Sequence, residues 1–272
     1  MKPNATSNRF LLAVSWLVLP SGCGQNLDVG SDILWTSRFE VGGNSFPEWT
    51  PVPFGFGSAS PVPTPNEPNM PNTVEVSSEQ GHHSNFAAKL TVSGTADNTA
   101  GIGASLVQNG GLPDEAYYSA WYYLPQSVSV GYYWVIMKFR FRSVPDDPNT
   151  AGELFDVNLT NPSSGVMSLR LYDHQTPPNQ PQPKVSPKSV SVNAWFQLEA
   201  FYRAASDNTG QLTLWLDGEQ ILDLPGPTGP AGWVAWDVVS VGYNLTPEPA
   251  VLYVDDCAIS RTRIGLNGLL SE

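Results

Sequence analysis

The stretch Trp134–Arg142 constrains the fold more than any other part of this chain. Successive side chains of an extended strand point to opposite faces, so residues two apart share a face. The apolar face of this strand carries Val135, Met137, Phe139 and Phe141. The other face carries Ile136, Lys138, Arg140 and Arg142. The chain has only 13 Lys and Arg in all, so three cations on one face predict a central strand that binds a ligand on its polar side.

Composition and turn chemistry predict an all-β protein. The 272 residues include 25 Pro and 24 Gly, and 41% are hydrophobic, which is typical of a folded chain of strands joined by turns. About a dozen short strands without helical runs indicate a two-sheet antiparallel β-sandwich of jelly-roll type over residues 32–265. Residues 266–272 are predicted as a tail.

Two Pro-rich segments, 51–71 and 177–187, are predicted as loops of this domain. Proline lacks the N–H that a central strand donates to its neighbour. The first segment could instead be a stiff linker. We favour a loop, because residues 33–40, which precede it, cannot form a domain alone.

The N-terminus is predicted to direct export. Residues 1–22 combine the cations Lys2 and Arg9 with an apolar run that is shorter than the roughly 20 residues needed to span a membrane. The end of this segment resembles the lipobox of bacterial lipoproteins, which implies that Cys23 is lipidated and that residues 23–31 form a tether. The alternative is an ordinary secretory signal. We therefore expect an outer-membrane or cell-surface lipoprotein, held to the membrane by lipid alone, or otherwise a secreted protein.

The cysteine content leaves two possibilities open. The chain has two Cys, Cys23 and Cys257. If Cys23 carries lipid, Cys257 is most simply a small buried apolar residue. If it does not, a disulfide between the two is conceivable in an exported protein.

The acidic balance argues against nucleic acid as a partner. The formal net charge is −12, whereas phosphate binding needs a basic surface. An excess of acid in this range mostly promotes solubility.

The strands after Arg142 repeat the same alternation, and their polar sides predict a binding face. Sequential strands are often neighbours, so the polar sides would form one continuous surface. Planar hydrogen-bonding groups suit sugar hydroxyls, aromatic rings stack on sugar C–H patches, and cations suit carboxylates or sulfates. The alternative is a solvated face with ion pairs, such as Arg140 with Asp156 or Glu199 with Arg203. The predicted polysaccharide-binding residues are Lys138, Arg140, Arg142, Asp156, Asn158, Arg170, Tyr172, His174, Gln197, Glu199, Arg203 and Trp215.

Two adjacent histidines, His82 and His83, lie in a predicted turn between strands. Adjacent residues of an extended chain point apart and would rarely bind one metal ion together. We therefore predict exposed turn histidines.

Four segments carry a resemblance to a known superfamily: 117–125, 195–199, 212–218 and 252–260. They resemble the concanavalin A-like lectin/glucanase superfamily, and more narrowly its bacterial laminin-G-like and polysaccharide-lyase-like members. The resemblance covers residues 32–265 and implies the jelly-roll fold.

Three functions are considered, of which the resemblance implies the first two and the sequence favours the first. The first is non-catalytic binding of a polysaccharide, including an anionic one. The alternative is a polysaccharide lyase that cleaves an acidic glycan by β-elimination, with Tyr172 or His174 as the base and Arg140 neutralising the carboxylate. The third is a structural surface domain. A retaining glucanase is disfavoured, because its paired carboxylates would need one face and Glu153 and Asp156 lie on opposite faces.

The ends of the domain resemble those of calcium-containing carbohydrate-binding modules. Glu40 on the first strand and Asp255 and Asp256 on the last offer hard oxygen ligands. The resemblance implies a structural Ca²⁺ there, and no other cofactor is required.

Overall fold

A computed structural model describes most of the chain from Asp32 onward, within one compact unit, Asp32–Glu272. The described ranges are 32–40, 46, 49, 58–62, 72–92, 102–108, 112–142, 151–161, 165–177, 179–232 and 234–269. The predicted signal peptide, Cys23 and the tether lie outside them, as does most of the segment 51–71, so these expectations stay predictions. Within the described ranges, no helix could cross a membrane.

The described residues form fourteen β-strands and no helix, as predicted from the turn-rich composition. The strands are β1 (Ile33–Ser37), β2 (Ser58–Val62), β3 (Thr73–Ser77), β4 (Ala87–Val92), β5 (Ile102–Gln108), β6 (Glu115–Tyr123), β7 (Ser129–Arg142), β8 (Ala151–Thr160), β9 (Ser168–Asp173), β10 (Trp195–Arg203), β11 (Gln211–Leu216), β12 (Glu219–Pro225), β13 (Val234–Thr246) and β14 (Ala250–Ser260).

The strands pair into two antiparallel sheets, which confirms the predicted sandwich. The eight-stranded sheet has the order β12-β11-β10-β6-β14-β4-β3, with β1 also pairing with β14. The six-stranded sheet has the order β2-β5-β13-β7-β8-β9. The described part of the first Pro-rich segment is β2, which lies at an edge where a missing proline N–H is tolerated.

The prediction that β7 to β11 are consecutive neighbours is wrong at one point. β7, β8 and β9 follow one another in the six-stranded sheet, but β10 and β11 belong to the eight-stranded sheet. The long connection 174–194 carries the chain from one sheet to the other. The predicted binding face is therefore split between the two outer surfaces of the sandwich.

The strict alternation predicted for β7 is also interrupted. The pairing of β7 with β8 shifts register between Val135 and Met137. Ile136 and Met137 both enter the core, whereas Val135 is buried outside the core cluster. A β-bulge adds one residue and reverses the faces beyond it. The predicted faces of Val135 and Ile136, which precede the register shift, are thus wrong, whereas Lys138 and Arg140 were given the correct face.

Aromatic side chains join the two sheets across the core. Tyr202 on β10 stacks on Phe139 of β7, with ring centroids 4.6 Å apart and planes 15° apart. The ring centroid of Trp236 on β13 lies 5.5 Å from that of Tyr118 on β6. Cys257 is fully buried in the same core, as predicted for a small apolar residue. These contacts fix the separation of the sheets and hold the outer face of β7 in place.

We expect Tyr202→Phe to lower the free energy of unfolding by about 1–2 kcal/mol. The Tyr202 hydroxyl donates to the Thr228 carbonyl oxygen at 2.5 Å, and both residues are fully buried. Phenylalanine keeps the ring stacking and removes only this donor. Urea denaturation measures the difference. Tyr132→Phe, at a position 74% exposed, is the matched control and should change stability by less than about 0.5 kcal/mol. Equal losses of stability in the two variants would show that the buried hydrogen bond of Tyr202 makes no special contribution.

Candidate functional site

A cavity of about 620 Å³ opens on the outer face of the six-stranded sheet. β7, β8 and β9 supply most of its lining, and Gly103 of β5 and Val241 of β13 complete its floor. Six predicted binding residues line it: Lys138, Asp156, Asn158, Arg170, Tyr172 and His174. The alternation within β7, β8 and β9 therefore identified the side chains that converge on the cavity.

Strand register arranges these side chains in rows. Lys138 of β7 pairs with Asp156 of β8, and Asp156 in turn pairs with Tyr172 of β9. The next pair along β8 and β9 is Asn158 with Arg170. Side chains that face each other on adjacent antiparallel strands lie about 4.5–5.5 Å apart at Cβ. One ligand can therefore contact a cation, a carboxylate and a phenol at once.

Asp156 is shared between two basic groups. Its Oδ2 lies 3.1 Å from His174 Nε2, and its Oδ1 lies 3.6 Å from Lys138 Nζ. Among the described residues, Oδ1 is buried and accepts no hydrogen bond. A buried polar atom of this kind favours a donor from outside.

His174 is held on two sides. Its ring packs edge-on against Tyr172, with centroids 4.8 Å apart, and its backbone N–H donates to the Leu154 carbonyl oxygen at 3.0 Å. If Nε2 carries the proton shared with Asp156, Nδ1 is the unprotonated nitrogen. In that tautomer, Nδ1 can accept a proton beside the Tyr172 phenol.

Arg140 of β7, a predicted binding residue, is not among the described residues that line this cavity. Arg140 Nη2 contacts both carboxylate oxygens of Asp237 on β13, at 2.7 and 2.5 Å. The predicted partner of Arg140 in an ion pair, Asp156, instead contacts Lys138 and His174. The side chain of Arg142 lies outside the described residues. The cation exposed in the cavity on β9 is Arg170.

The predicted binding residues on β10 and β11 lie on the outer face of the eight-stranded sheet, where the C-terminal segment 261–269 packs. They are Gln197, Glu199, Arg203 and Trp215. Gln197 is buried and donates from Nε2 to Ser119 Oγ at 2.9 Å and to the Gly265 carbonyl at 2.8 Å. Glu199 is fully buried. Their location on the opposite sheet separates them from the cavity.

The remaining two residues of this group also have local partners. Arg203 Nε lies 2.6 Å from Glu115 Oε2. The Arg263 guanidinium lies 4.6 Å from the centroid of the Trp215 ring. Glu199 and Arg203, which were considered as an ion pair, are instead paired with Arg263 and Glu115.

Sequence reasoning missed an aromatic cluster at one end of the cavity. Tyr132 and Tyr133 line it, and Tyr132 is 74% exposed. The Tyr132 ring lies 5.5 Å from that of Tyr133 and 5.8 Å from that of Tyr243. β7 begins at Ser129 and not at Trp134, so extending the strand by five residues would have included both tyrosines.

A second cluster of polar side chains lies against the outer face of the eight-stranded sheet. His82 Nδ1 and His83 Nδ1 lie 2.8 and 3.0 Å from Asp256 Oδ2. His82 also stacks on Trp121 with centroids 3.8 Å apart. The prediction of exposed turn histidines is wrong for His82, whose side chain is 10% exposed. In a turn, adjacent side chains can converge, whereas in a strand they diverge.

The three acids predicted to bind calcium lie at this end of the sandwich, but each is engaged separately. Asp255 Oδ2 accepts from His82 N and Ser84 Oγ, both at 2.9 Å, and Glu40 Oε1 accepts from Phe86 N at 3.3 Å. Burial raises the pKa of Asp255 to about 7. Burial also disfavours the charged form of Asp256, yet hydrogen bonds from both histidines hold its pKa below its usual range.

Comparisons with known proteins bear on the fold. No family model matches the sequence, and no curated protein is significantly similar to it. Among solved structures, endo-β-1,4-glucuronan lyase from the fungus Trichoderma reesei superposes with a TM-score of 0.50 and 14% identity, over 76% of this chain and 96% of that one. The PL-14 alginate lyase of Aplysia kurodai has a TM-score of 0.48 and 11% identity, over 71% and 90% of the two chains. The fold is thus similar to that of a polysaccharide lyase.

Proposed function

We propose that the cavity binds a polysaccharide of uronic acid residues and cleaves it by β-elimination. The observation that carries this proposal is the convergence of Lys138, Arg170, Tyr172 and the His174–Asp156 pair on one cavity. This reaction needs a group to neutralise the uronate carboxylate, a base for the C5 proton and an acid for the leaving oxygen. Side chains of β7, β8 and β9, together with His174 directly after β9, include a candidate for each of these three groups.

The cations would lower the barrier to proton removal. Ionised carboxylate at C5 makes the C5 proton weakly acidic, and charge-assisted hydrogen bonds from Arg170 and Lys138 offset that charge. Arg170 is exposed in the cavity, and a guanidinium can bind both carboxylate oxygens. Lys138 lies across β8 from β9 and would approach the carboxylate from the other side.

The proton transfers can be assigned to the two groups on β9 and its extension. His174 Nδ1 takes the C5 proton while Asp156 holds the imidazole through Nε2. The electron pair of the C5–H bond forms the C4=C5 double bond, and the C4–O bond breaks. The Tyr172 hydroxyl protonates the leaving oxygen, and a proton passed on from His174 through water restores the phenol. The products are a chain that begins with a 4,5-unsaturated uronate and a second chain whose leaving oxygen stays on C1 as the hydroxyl of a new reducing end.

The test is the ultraviolet absorbance of the unsaturated product during incubation with a panel of uronate polymers. Because the fold is similar to that of a glucuronan lyase, glucuronan belongs in the panel beside polymannuronate, polyguluronate and polygalacturonate. The same polymers with their carboxylates reduced to alcohols should give no product. If no uronate polymer gives product under any condition, the lyase proposal is wrong.

Arg170→Gln should reduce kcat/KM on the active polymer by about ten- to a hundredfold, because a hydrogen bond to a charged group contributes about 1.5–3 kcal/mol. Arg203→Gln is the matched control. It removes a half-buried arginine that pairs with Glu115 on the opposite sheet, so it should leave kcat/KM unchanged. Equal losses in both variants would mean that net charge, and not contact in the cavity, governs the reaction.

A second candidate function, binding without cleavage, is favoured by one observation. Tyr132 is 74% exposed beside Tyr133 and Tyr243, and large exposed rings stack on sugars. Retardation of the protein by a uronate polymer in affinity electrophoresis, without formation of unsaturated product, would support this function. Tyr132→Ala should then weaken the retardation.

A further inference from the structure

The turn between β3 and β4 and the last strand, β14, bring three metal-binding groups together. One ligand atom from each of His82, His83 and Asp256 lies within 4.8 Å of the other two. The Nδ1 atoms of the two histidines lie 2.8 and 3.0 Å from Asp256 Oδ2. They are far apart in sequence, since 173 residues separate His83 from Asp256. The cluster lies beside Trp121, on the outer face of the sheet that does not carry the cavity. No step of the proposed reaction uses it.

The backbone of β14 departs from regular strand geometry at this cluster. β14 shifts register against β6 between Asp255 and Ala258, and Asp256 has a φ of +43°. A non-glycine residue in this region costs on the order of 1–3 kcal/mol and persists only where its surroundings hold it. The distortion allows the adjacent carboxylates of Asp255 and Asp256 both to reach the turn, where an undistorted strand would separate them.

The turn is anchored independently of its imidazoles. Asp255 Oδ2 accepts hydrogen bonds from the backbone N–H of His82 and from Ser84 Oγ. The His82 ring is fixed by stacking on Trp121. The ligand nitrogens are therefore held close to Asp256 before any ion arrives, which reduces the entropy cost of binding.

Charge also favours a cation at this place. Asp255 is fully buried and Asp256 is 2% exposed, and burial of adjacent carboxylates requires compensation. Arg38 Nε lies 3.6 Å from Asp256 Oδ1 and supplies one positive charge. A divalent ion between the imidazoles and Asp256 would supply two more without protonating either histidine.

We propose that His82, His83 and Asp256 form a binding site for Zn²⁺ or a similar divalent transition metal. Two imidazole nitrogens and one carboxylate oxygen are a ligand set that suits zinc, with bond lengths of about 2.0–2.2 Å and water in the fourth position. His83, at 42% side-chain exposure, lies on the side open to that water. Calcium takes six to eight oxygen ligands, so the imidazoles do not suit it. The ion ties the turn after β3 to the middle of β14 and has a structural role.

The experiment is isothermal titration of the untagged full chain, freed of metal by a chelator, with Zn²⁺. The expected result is one ion per chain and an increase in Tm with Zn²⁺ concentration, because an ion that binds only the folded state stabilises it. His83→Ala should weaken Zn²⁺ binding by more than about tenfold, since loss of even an outer partner of a metal ligand costs ten- to a hundredfold. Tetrahedral Co²⁺ in place of Zn²⁺ should give intense visible bands that this variant lacks.

His174→Ala is the matched control, because the chain has only three histidines and His174 lies on the other sheet. It should bind Zn²⁺ like the unmodified chain. The Tm of His83→Ala without metal distinguishes a lost ligand from a misfolded variant, since an unchanged value shows an intact fold. Unaltered Zn²⁺ affinity in His83→Ala would overturn the proposal, as would a rise in Tm with Ca²⁺ and none with Zn²⁺.

Discussion

His174→Ala should lower kcat for the elimination by about 10²–10⁴-fold, the range that a general base contributes, and leave polymer binding nearly intact. The imidazole acts on a proton that moves only in the transition state, so its loss affects kcat more than KM. The side chain is 26% exposed, and its removal should therefore leave Tm within about 2 °C. Initial rates on the active uronate polymer give kcat and KM, and affinity electrophoresis gives binding.

Asp156→Asn separates the role of the base from that of its partner. The amide can still hydrogen-bond to His174 but no longer fixes the tautomer with Nε2 protonated, so kcat should fall by an intermediate factor. Tyr172→Phe should also lower kcat if the phenol protonates the leaving oxygen. A His174→Ala variant with normal kcat would assign the base to Tyr172 instead.

Glu199→Ala should lower the free energy of unfolding by about 3–5 kcal/mol, because it leaves buried donors without their acceptor. The Glu199 carboxylate is fully buried and accepts from Ile264 N at 2.7 Å, from Gly265 N at 3.3 Å and from Arg263 Nε at 3.3 Å. It therefore anchors the C-terminal segment to β10. Guanidinium denaturation monitored by tryptophan fluorescence measures the loss.

Glu219→Ala is the matched control for this effect. Its carboxylate pairs with Lys188 at 2.8 Å but its side chain is 69% exposed, so the change should stay within about 0.5 kcal/mol. The Glu199 variant should also keep its polymer binding at temperatures where it is folded. Loss of binding without loss of stability would instead restore Glu199 to the binding role predicted from its alternation in β10.

The sequence was sufficient to predict which side chains share a face where strands that are neighbours in a sheet are also consecutive in the chain. Asp156 and Tyr172 lie opposite each other on β8 and β9, and a short connection makes such strands neighbours in space. Period-two alternation then predicts which side chains share a face. The same reasoning placed Glu199 on that face too. It could not show that the connection 174–194 crosses to the other sheet, because both outcomes bury the apolar side of β10 equally well.

Local departures from regular geometry were the other source of error. The bulge at Val135–Met137 reverses the faces of β7, and no residue type in this stretch marks it. His82 and His83 converge because their segment is a turn that hydrogen-bonds to Asp255. That contact joins residues 173 positions apart in the chain, and alternation carries no information over such a separation.

The position of β9 at the end of the six-stranded sheet has a consequence for how such a protein can diversify. Arg170 and Tyr172 stand on a strand with a single ladder partner, β8. The other flank is bordered by the segment 174–194, in which Val190 N donates to the carbonyl oxygen of Met167, the residue before β9, at 2.8 Å. His174 lines the cavity, but residues 175–188 are not among the described residues that do. Insertions at exposed positions of that segment can therefore add new groups beside Arg170 and Tyr172 without changing the strands that carry the cavity. If the proposed function holds, a library of such insertions would test whether the range of polymers can change on a constant set of strands.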